Sequence, residues 1–240
     1  AFCEFETVVL GLLSQASGVA TRALRCVIAA NGRPVAFFGS RRMYPFSASM
    51  LEYAAYIGGC SGGSTILGAD YTEEEPTGTM PHSLVLLFGD VVKATQAFDK
   101  VIDPKVPRVA LIDGLGDERF EAVRVAEVMG DHLDALRFDT PSSRRGNLKR
   151  IMEETRWELD MRGFDHIRFI ASGGRGEKDI LELNSVTDMY GIGGEIGSGF
   201  GVDFSANIIE ISSIPTSKRG VMSGAKQILA CTCGYREVIL

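Results

Sequence analysis

Two glycine loops, two carboxylates, an aromatic-arginine cluster and one histidine are the parts of this 240-residue sequence with the chemistry of a site. Ser172-Gly-Gly-Arg-Gly176 and Gly191-Ile-Gly-Gly-Glu-Ile-Gly197 each follow a short apolar run. Loops without Cβ atoms let backbone N–H groups converge on an anion, so Ser172, Gly173, Gly174, Gly191, Gly193 and Gly194 are candidates for a phosphate site. Tight turns closing a barrel are the other reading. Asp113 and Asp139 also end apolar runs. A carboxylate there suits a ribose diol or a hydrated Mg²⁺, or else an ion pair with Arg137 or Arg144. In Phe37-Phe38-Gly-Ser-Arg41-Arg42 an aromatic face lies beside guanidinium groups, which together can hold a flat anionic ring by stacking and bidentate pairing. A strand followed by surface arginines reads equally well. His82, framed by Gly78, Thr79 and Ser83 and preceded by Pro81, sits at a helix start. It is a candidate general base or phosphoryl acceptor, against a structural role.

The elements that must position these residues are legible as alternating patterns. Short apolar runs at Val109–Asp113, Ala135–Asp139, Ile167–Gly174 and Met189–Gly194 read as buried parallel strands. Between them, helical periods span about Asp117–Met129, Leu148–Met161 and Lys178–Leu183. Parallel strands align their carboxyl ends, so the polar residues that follow them gather on one rim. Upstream, the spacing predicts a long core-facing helix over Glu4–Ala30, stopped by Asn31-Gly32. A strand at Pro34–Phe38, a loop at Gly39–Tyr44, a helix at Ser47–Ile57 and a glycine-rich corner at Gly58–Ser64 follow. Thr65–Ala69 reads as a further strand, Tyr71–Thr79 as an acidic loop, and Leu84–Phe88 as helical. The pattern resumes at Ser205–Ile211, and Ser217–Leu240 reads as a small β-rich extension.

At 45% hydrophobic residues the chain can bury one large core. A net charge of −6 excludes the global basic field of a nucleic-acid binder. No apolar run reaches membrane-spanning length and the start has no signal-peptide order, so a cytoplasmic location without membrane partners is expected. Five cysteines argue for free thiols or a metal site over a disulfide framework. Cys3, Cys26 and Cys60 fit buried positions. The sequence begins without Met and stops just after Cys231-Thr-Cys233-Gly, and so reads as a piece of a longer protein.

Taken in order, Ser14-Gln-Ala-Ser-Gly-Val-Ala-Thr21, Phe38-Gly-Ser-Arg-Arg42, Ala54-Ala-Tyr-Ile-Gly-Gly59, Gly78-Thr-Met-Pro-His82, Leu136-Arg-Phe-Asp-Thr-Pro-Ser-Ser-Arg-Arg-Gly146, Arg156-Trp-Glu-Leu-Asp160, Ser172-Gly-Gly174 and Lys218-Arg-Gly220 closely resemble the nicotinate phosphoribosyltransferase family, particularly its archaeal-type members. The resemblance implies an α/β fold, the irregular or incomplete (β/α) barrel of type II phosphoribosyltransferases, over residues 1–216. Residues 217–240 would begin a small β-rich, zinc-binding extension, with Cys231 and Cys233 as half of its ligands. It implies transfer of phosphoribosyl from 5-phosphoribosyl 1-pyrophosphate to nicotinate, assisted by Mg²⁺ and coupled to ATP through phosphorylation of His82. Phe38 and Arg41 would hold the pyridine ring, with Thr79 and Ser83 beside His82. Arg137, Asp139 and Thr140 would contact ribose and phosphate, with Asp113 in the same pocket, and Ser172, Gly173, Gly174, Gly191, Gly193 and Gly194 would surround the 5′-phosphate. The family's N-terminal α/β domain is absent from these residues; in the family it closes the site of a neighbouring subunit, so a homodimer or higher oligomer is expected. Quinolinate or nicotinamide phosphoribosyltransferases, a barrel lyase or isomerase, and a non-catalytic nucleotide-binding relative are the alternatives. A lyase would need a strand-end lysine for a Schiff base, and a quinolinate enzyme should lack Gly78-Thr-Met-Pro-His82.

Overall fold

The computed structural model describes residues 2–224, 226–231 and 234–239, with side chains for residues 4–224. Its chain divides into two compact units, Gln15–Gly201 and the pair of segments Ala1–Ser14 and Val202–Leu240. Residues 201–208 form no regular element and are exposed. The expected element at Ser205–Ile211 therefore shrinks to its last two residues.

In chain order the elements are α1 (Phe2–Ala29), β1 (Val35–Phe37), a 3-10 turn (Ser40–Arg42), α2 (Ala48–Ile57), α3 (Ile66–Thr72), α4 (His82–Phe88), α5 (Val91–Val101) and β2 (Val109–Leu111). They continue as α6 (Glu118–Met129), a second 3-10 turn (Gly130–His132), β3 (Ala135–Phe138), α7 (Leu148–Met161), β4 (Arg168–Ser172), α8 (Glu177–Leu183), β5 (Met189–Ile192) and α9 (Gly194–Gly197). Two hairpins end the chain: β6 (Glu210–Ile211) with β7 (Ile214–Pro215), and β8 (Lys226–Cys231) with β9 (Gly234–Ile239), both antiparallel. Among the described residues no helix is long and apolar enough to cross a membrane.

Strands β1 to β5 form one parallel sheet in the order β1-β5-β4-β3-β2. The last strand lies beside the first, with Ala36 opposite Gly191, which is how a parallel sheet rolls towards a barrel. On the far side of β1 the wall continues as irregular chain: Ser61 bridges to Ala36, the Thr77 N–H donates to Gly63 at 2.9 Å, and Arg137 donates to the Met80 carbonyl at 3.0 Å. The strands are short and almost wholly buried, so they appear in sequence as continuous apolar runs without alternation. Phe138 and Phe169 pack with ring centroids 5.0 Å apart between β3 and β4. Full burial of each such side chain stabilises by about 1.5–3 kcal/mol.

Helix starts are fixed by side-chain caps. Asp90, Asp117 and Asn147 accept from the backbone N–H groups of Lys93, Phe120 and Arg150 at the starts of α5, α6 and α7. The segment read as a strand at Thr65–Ala69 is instead the start of α3, since the Thr65 hydroxyl caps the helix by accepting from Gly68 N–H at 3.1 Å. Helix α5 has no counterpart in the sequence reading, and the loop expected at Gly39–Tyr44 contains the first 3-10 turn.

Candidate active site

At the carboxyl ends of the strands lies a cleft of about 530 Å³, lined by Phe38, Ser40, Arg41, Arg42, Ser64, Thr77, Gly78, Thr79, Pro81, His82, Ser83, Arg137, Asp139, Gly173, Gly174, Gly191, Gly193 and Gly194. Twelve of the residues anticipated from sequence meet here. A larger and more open cleft, about 790 Å³, lies at the other rim, around the residues that precede β1 and β5 and part of α7. It gathers none of them, so residue chemistry and not size identifies the site.

Strand β3 carries Arg137, and Asp139 follows directly after its last residue, Phe138. The buried guanidinium donates through Nη1 to Ser172 Oγ at 3.3 Å and stands 3.4 Å from Asp139 Oδ1, while its buried Nε has no partner among the described residues. Burial lowers its pKa most, the carboxylates of Asp139 and Asp113 oppose that, and nearby Arg41 adds to it. At the end of β4, Ser172 lies fully buried beneath the cleft and donates to Asp139 Oδ1 at 2.6 Å. It orients the carboxylate and does not line the surface. Gly173 follows at φ +76°, where a Cβ would press on the Asp139 backbone.

The other wall comes from β1 and its 3-10 turn. Phe38 N–H donates to the Ile192 carbonyl at 2.9 Å, and the Phe38 ring lies over Gly191, where any Cβ would overlap it. Arg41 and Arg42 are exposed, and their guanidinium groups form no hydrogen bond or ion pair with the described residues; the Arg42 N–H donates to the Gly39 carbonyl at 2.8 Å and its side chain runs beside Gly194. Two guanidinium groups without partners, facing two glycine loops, form a strongly anion-attracting corner.

His82 stands between two carboxylates. Its Nε2 is 3.2 Å from Asp113 Oδ2 and its Nδ1 is 3.9 Å from Asp139 Oδ2, with the ring side chain 41% exposed. Asp113, only 3% exposed, is therefore a support behind the histidine and not part of the lining, and its Oδ1 has no partner among the described residues. Thr140 falls outside the cleft: its hydroxyl donates to Glu118 at 3.2 Å in a buried network with Arg144. The alternative pairing of the strand-end carboxylates with Arg144 is excluded, because Arg144 pairs with Asp117 and Glu118. Cys231 and Cys233 lie outside the residues whose side chains are described. Cys26 and Cys60 are free and buried, as expected.

The sequence reading missed Ser40, Ser64 and Thr77, and with them Glu52, the carboxylate that holds Ser40 and Ser64. That group is 2% exposed on α2. A lone acidic residue among the core-facing positions Leu51, Ala54 and Ala55 was the available signal.

Residues 19–207 match the family described as quinolinate phosphoribosyl transferase, C-terminal domain. The chain belongs to this family. Nicotinate phosphoribosyltransferase pncB2 of Mycobacterium tuberculosis is 32% identical over 197 residues, which cover 80% of this chain and 41% of that protein. Nicotinate phosphoribosyltransferase of Bacillus subtilis is 28% identical over 78% of this chain and 39% of its own length. Among solved structures, nicotinate-nucleotide pyrophosphorylase from Pyrococcus furiosus superposes with TM-score 0.90 at 51% identity, covering 98% of this chain and 61% of that one. Human nicotinic acid phosphoribosyltransferase, at TM-score 0.62 and 18% identity over 95% of this chain and 56% of that one, shares the fold. The chain thus spans between about two-fifths and a half of the length of the curated relatives it matches. The α/β phosphoribosyltransferase barrel anticipated from the motifs is the fold of this family member.

Proposed function

We propose that the cleft transfers the phosphoribosyl group of 5-phosphoribosyl 1-pyrophosphate to the ring nitrogen of nicotinate, releasing pyrophosphate, in pyridine-nucleotide salvage. The observation that carries this reading is the convergence of Asp139, the unpartnered Arg41 and Arg42 and two glycine loops in one cleft. The C1–O bond of the ribose breaks with its electron pair leaving on pyrophosphate, and the neutral ring nitrogen donates its lone pair to form the N–C1 bond. Positive charge develops on the ribose between these events. The Asp139 carboxylate, held by Ser172 and Arg137, is oriented to stabilise it without reorganising. Phe38 offers a face to the pyridine ring and Arg41 a partner for its carboxylate, while Gly173, Gly174, Gly193 and Gly194 leave backbone N–H groups open to the 5′-phosphate.

His82 would accept the terminal phosphoryl group of ATP. Donation of its Nε2–H to Asp113 leaves the lone pair on Nδ1, where a P–O bond to ADP is exchanged for a P–N bond. Among the described residues no three His, Cys, Asp or Glu side chains gather into a metal site, so a resident Mg²⁺ cage does not fit. Mg²⁺ would have to come with the diphosphate, neutralising its charge, with Asp139 as the carboxylate of the cleft lining nearest to hand. A second subunit, supplying an aromatic cover for the far face of the ring, completes the reading.

Quinolinate is the second candidate substrate, favoured by the 51% identity to a protein called nicotinate-nucleotide pyrophosphorylase. Assays of the intact protein decide between them. Pyrophosphate release with nicotinate, lost in Asp139→Ala, is the expected result; turnover with quinolinate alone overturns the nicotinate assignment. Acid-labile labelling by ATP that disappears in His82→Ala supports coupling, and unlabelled, ATP-independent turnover removes it.

A further inference from the structure

Of the buried charges that the proposed chemistry leaves unused, Glu118, Glu121 and Arg108 are each held in an ion pair, and Glu52 is held by neutral donors. Its partners are all hydroxyl and backbone N–H groups: Ser40 Oγ and Thr65 Oγ1 at short range, Ser64 Oγ at 2.7 Å, and the backbone N–H groups of Ser64 and Thr65 at 3.1 Å each. Burial on its own raises the carboxyl pKa, but the three hydroxyls and the Thr65 N–H outweigh it and hold the group ionised below its ordinary value. The surrounding backbone is shaped to admit it. A Cβ on Gly63 would lie 3.0 Å from Oε2, and one on Gly68 would overlap that oxygen.

This carboxylate ties together three stretches of chain: helix α2, the 3-10 turn with Ser40, Arg41 and Arg42, and the Ser64-Thr65 entry to α3. Ser40 and Ser64 line the cleft themselves. The guanidinium groups of Arg41 and Arg42 have no partners among the described residues, so the direction of their stems is set by the turn, which the Arg42 N–H to Gly39 carbonyl bond closes and Ser40 anchors to Glu52. A charge buried with five donors is costly unless every donor stays in place, and so it specifies one arrangement of these segments.

We propose that Glu52 is a positioning residue for anion recognition: its ionised carboxylate clasps the Arg41-Arg42 turn against the Ser64 loop and aims the guanidinium groups at the anionic substrate. The nicotinate arm of the test rests on the proposed function, and the diphosphate arm is independent of it. In Glu52→Gln the amide NH₂ replaces an acceptor with a donor facing other donors, while size is kept. With the intact protein, KM for nicotinate is expected to rise about tenfold, the cost of one lost charge-assisted hydrogen bond, with kcat within about threefold of wild type. Because Glu52 acts through Arg41, adding Glu52→Gln to Arg41→Ala should raise KM no further. Calorimetric titration with inorganic diphosphate should show about tenfold weaker binding in Glu52→Gln. Glu52→Gln is expected to melt lower than wild type because buried donors lose their acceptor, so both measurements are made below its transition with an unchanged far-ultraviolet spectrum as the criterion of folding, and Glu52→Asp, keeping the charge, should recover part of the affinity. An unchanged KM, or multiplied effects in the double variant, overturns the proposal. If the wild type does not use nicotinate, the functional assignment alone fails and the diphosphate titration decides: unchanged affinity overturns the clasp.

Discussion

Gly173 offers a clean way to displace Asp139 without touching its chemistry. In Gly173→Ala two costs arise. The backbone at φ +76° is left-handed, which costs an L-residue about 1–2 kcal/mol. The added Cβ would also lie 2.6 Å from the Asp139 carbonyl oxygen and 2.9 Å from its Oδ1. Backbone cannot retreat as the tip of a flexible side chain can, so Asp139 itself must move by several tenths of an ångström. That motion breaks the 2.6 Å contact with Ser172 and changes the 3.4 Å approach of Arg137. Misplacement by about 1 Å at a reacting centre costs on the order of 10²-fold in rate, so kcat/KM should fall between about tenfold and a hundredfold. Gly174→Ala isolates the first cost, because Gly174 sits at φ +62° with nothing within 4 Å of its Cβ position. Steady-state kinetics of the intact protein, paired with thermal unfolding, separates the two. Equal losses of activity in both variants would refute the steric route through Asp139.

Two further outcomes bear on the core. Tyr190→Phe removes a buried hydroxyl whose one proton is shared between the Ile180 carbonyl at 3.0 Å and Asn184 Oδ1 at 2.9 Å. Urea midpoints should fall by the equivalent of about 1–3 kcal/mol with kcat nearly unchanged, and an unmoved midpoint would contradict it. Burial pushes the Cys60 thiol from 9.0 up to about 12, with nearby Cys26 adding to the rise. Burial, then Glu195 and Glu177, push Cys26 up to about 11. The folded state binds these protons more tightly, so their stabilising contribution is complete below pH 9 and is lost as pH rises towards 11 and 12. Iodoacetamide at pH 8.5, a value near an ordinary thiol pKa, should therefore leave both unlabelled until the chain is denatured, as read by mass spectrometry.

The sheet and much of the cleft were legible because buried parallel strands announce themselves as apolar runs and the rim residues directly follow them. Asp139, Gly173 and Gly193 could be placed by that rule alone. The same rule misplaced Asp113 and Ser172, since the end of a strand does not say whether a side chain faces the opening or the layer beneath. Thr140 failed for a related reason: it follows Asp139, and its side chain turns to Glu118 on α6, a partner 22 residues away. At Thr65-Ile66 the β-branched pair resembled a strand, yet the Thr65 hydroxyl caps a helix while also donating to Glu52. Local propensity gave way there to tertiary bonding. Helix α5 carried a cap at Asp90 and core positions at Val91, Ala94 and Thr95, a signal that was present and unused. The role of Glu52 needs Ser40 and Ser64 as neighbours, which only the fold brings to it.

Placing β5 against β1 joins segments 155 positions apart, Phe37 beside Ile192. Pairings this distant must offset a loop-closure cost before they contribute stability. A ligand gripping Phe38 on one side and Gly193 on the other would staple that seam. Substrate should then slow deuterium uptake most at the amides of Phe38 and Tyr190, making occupancy and closure of the sheet a single event.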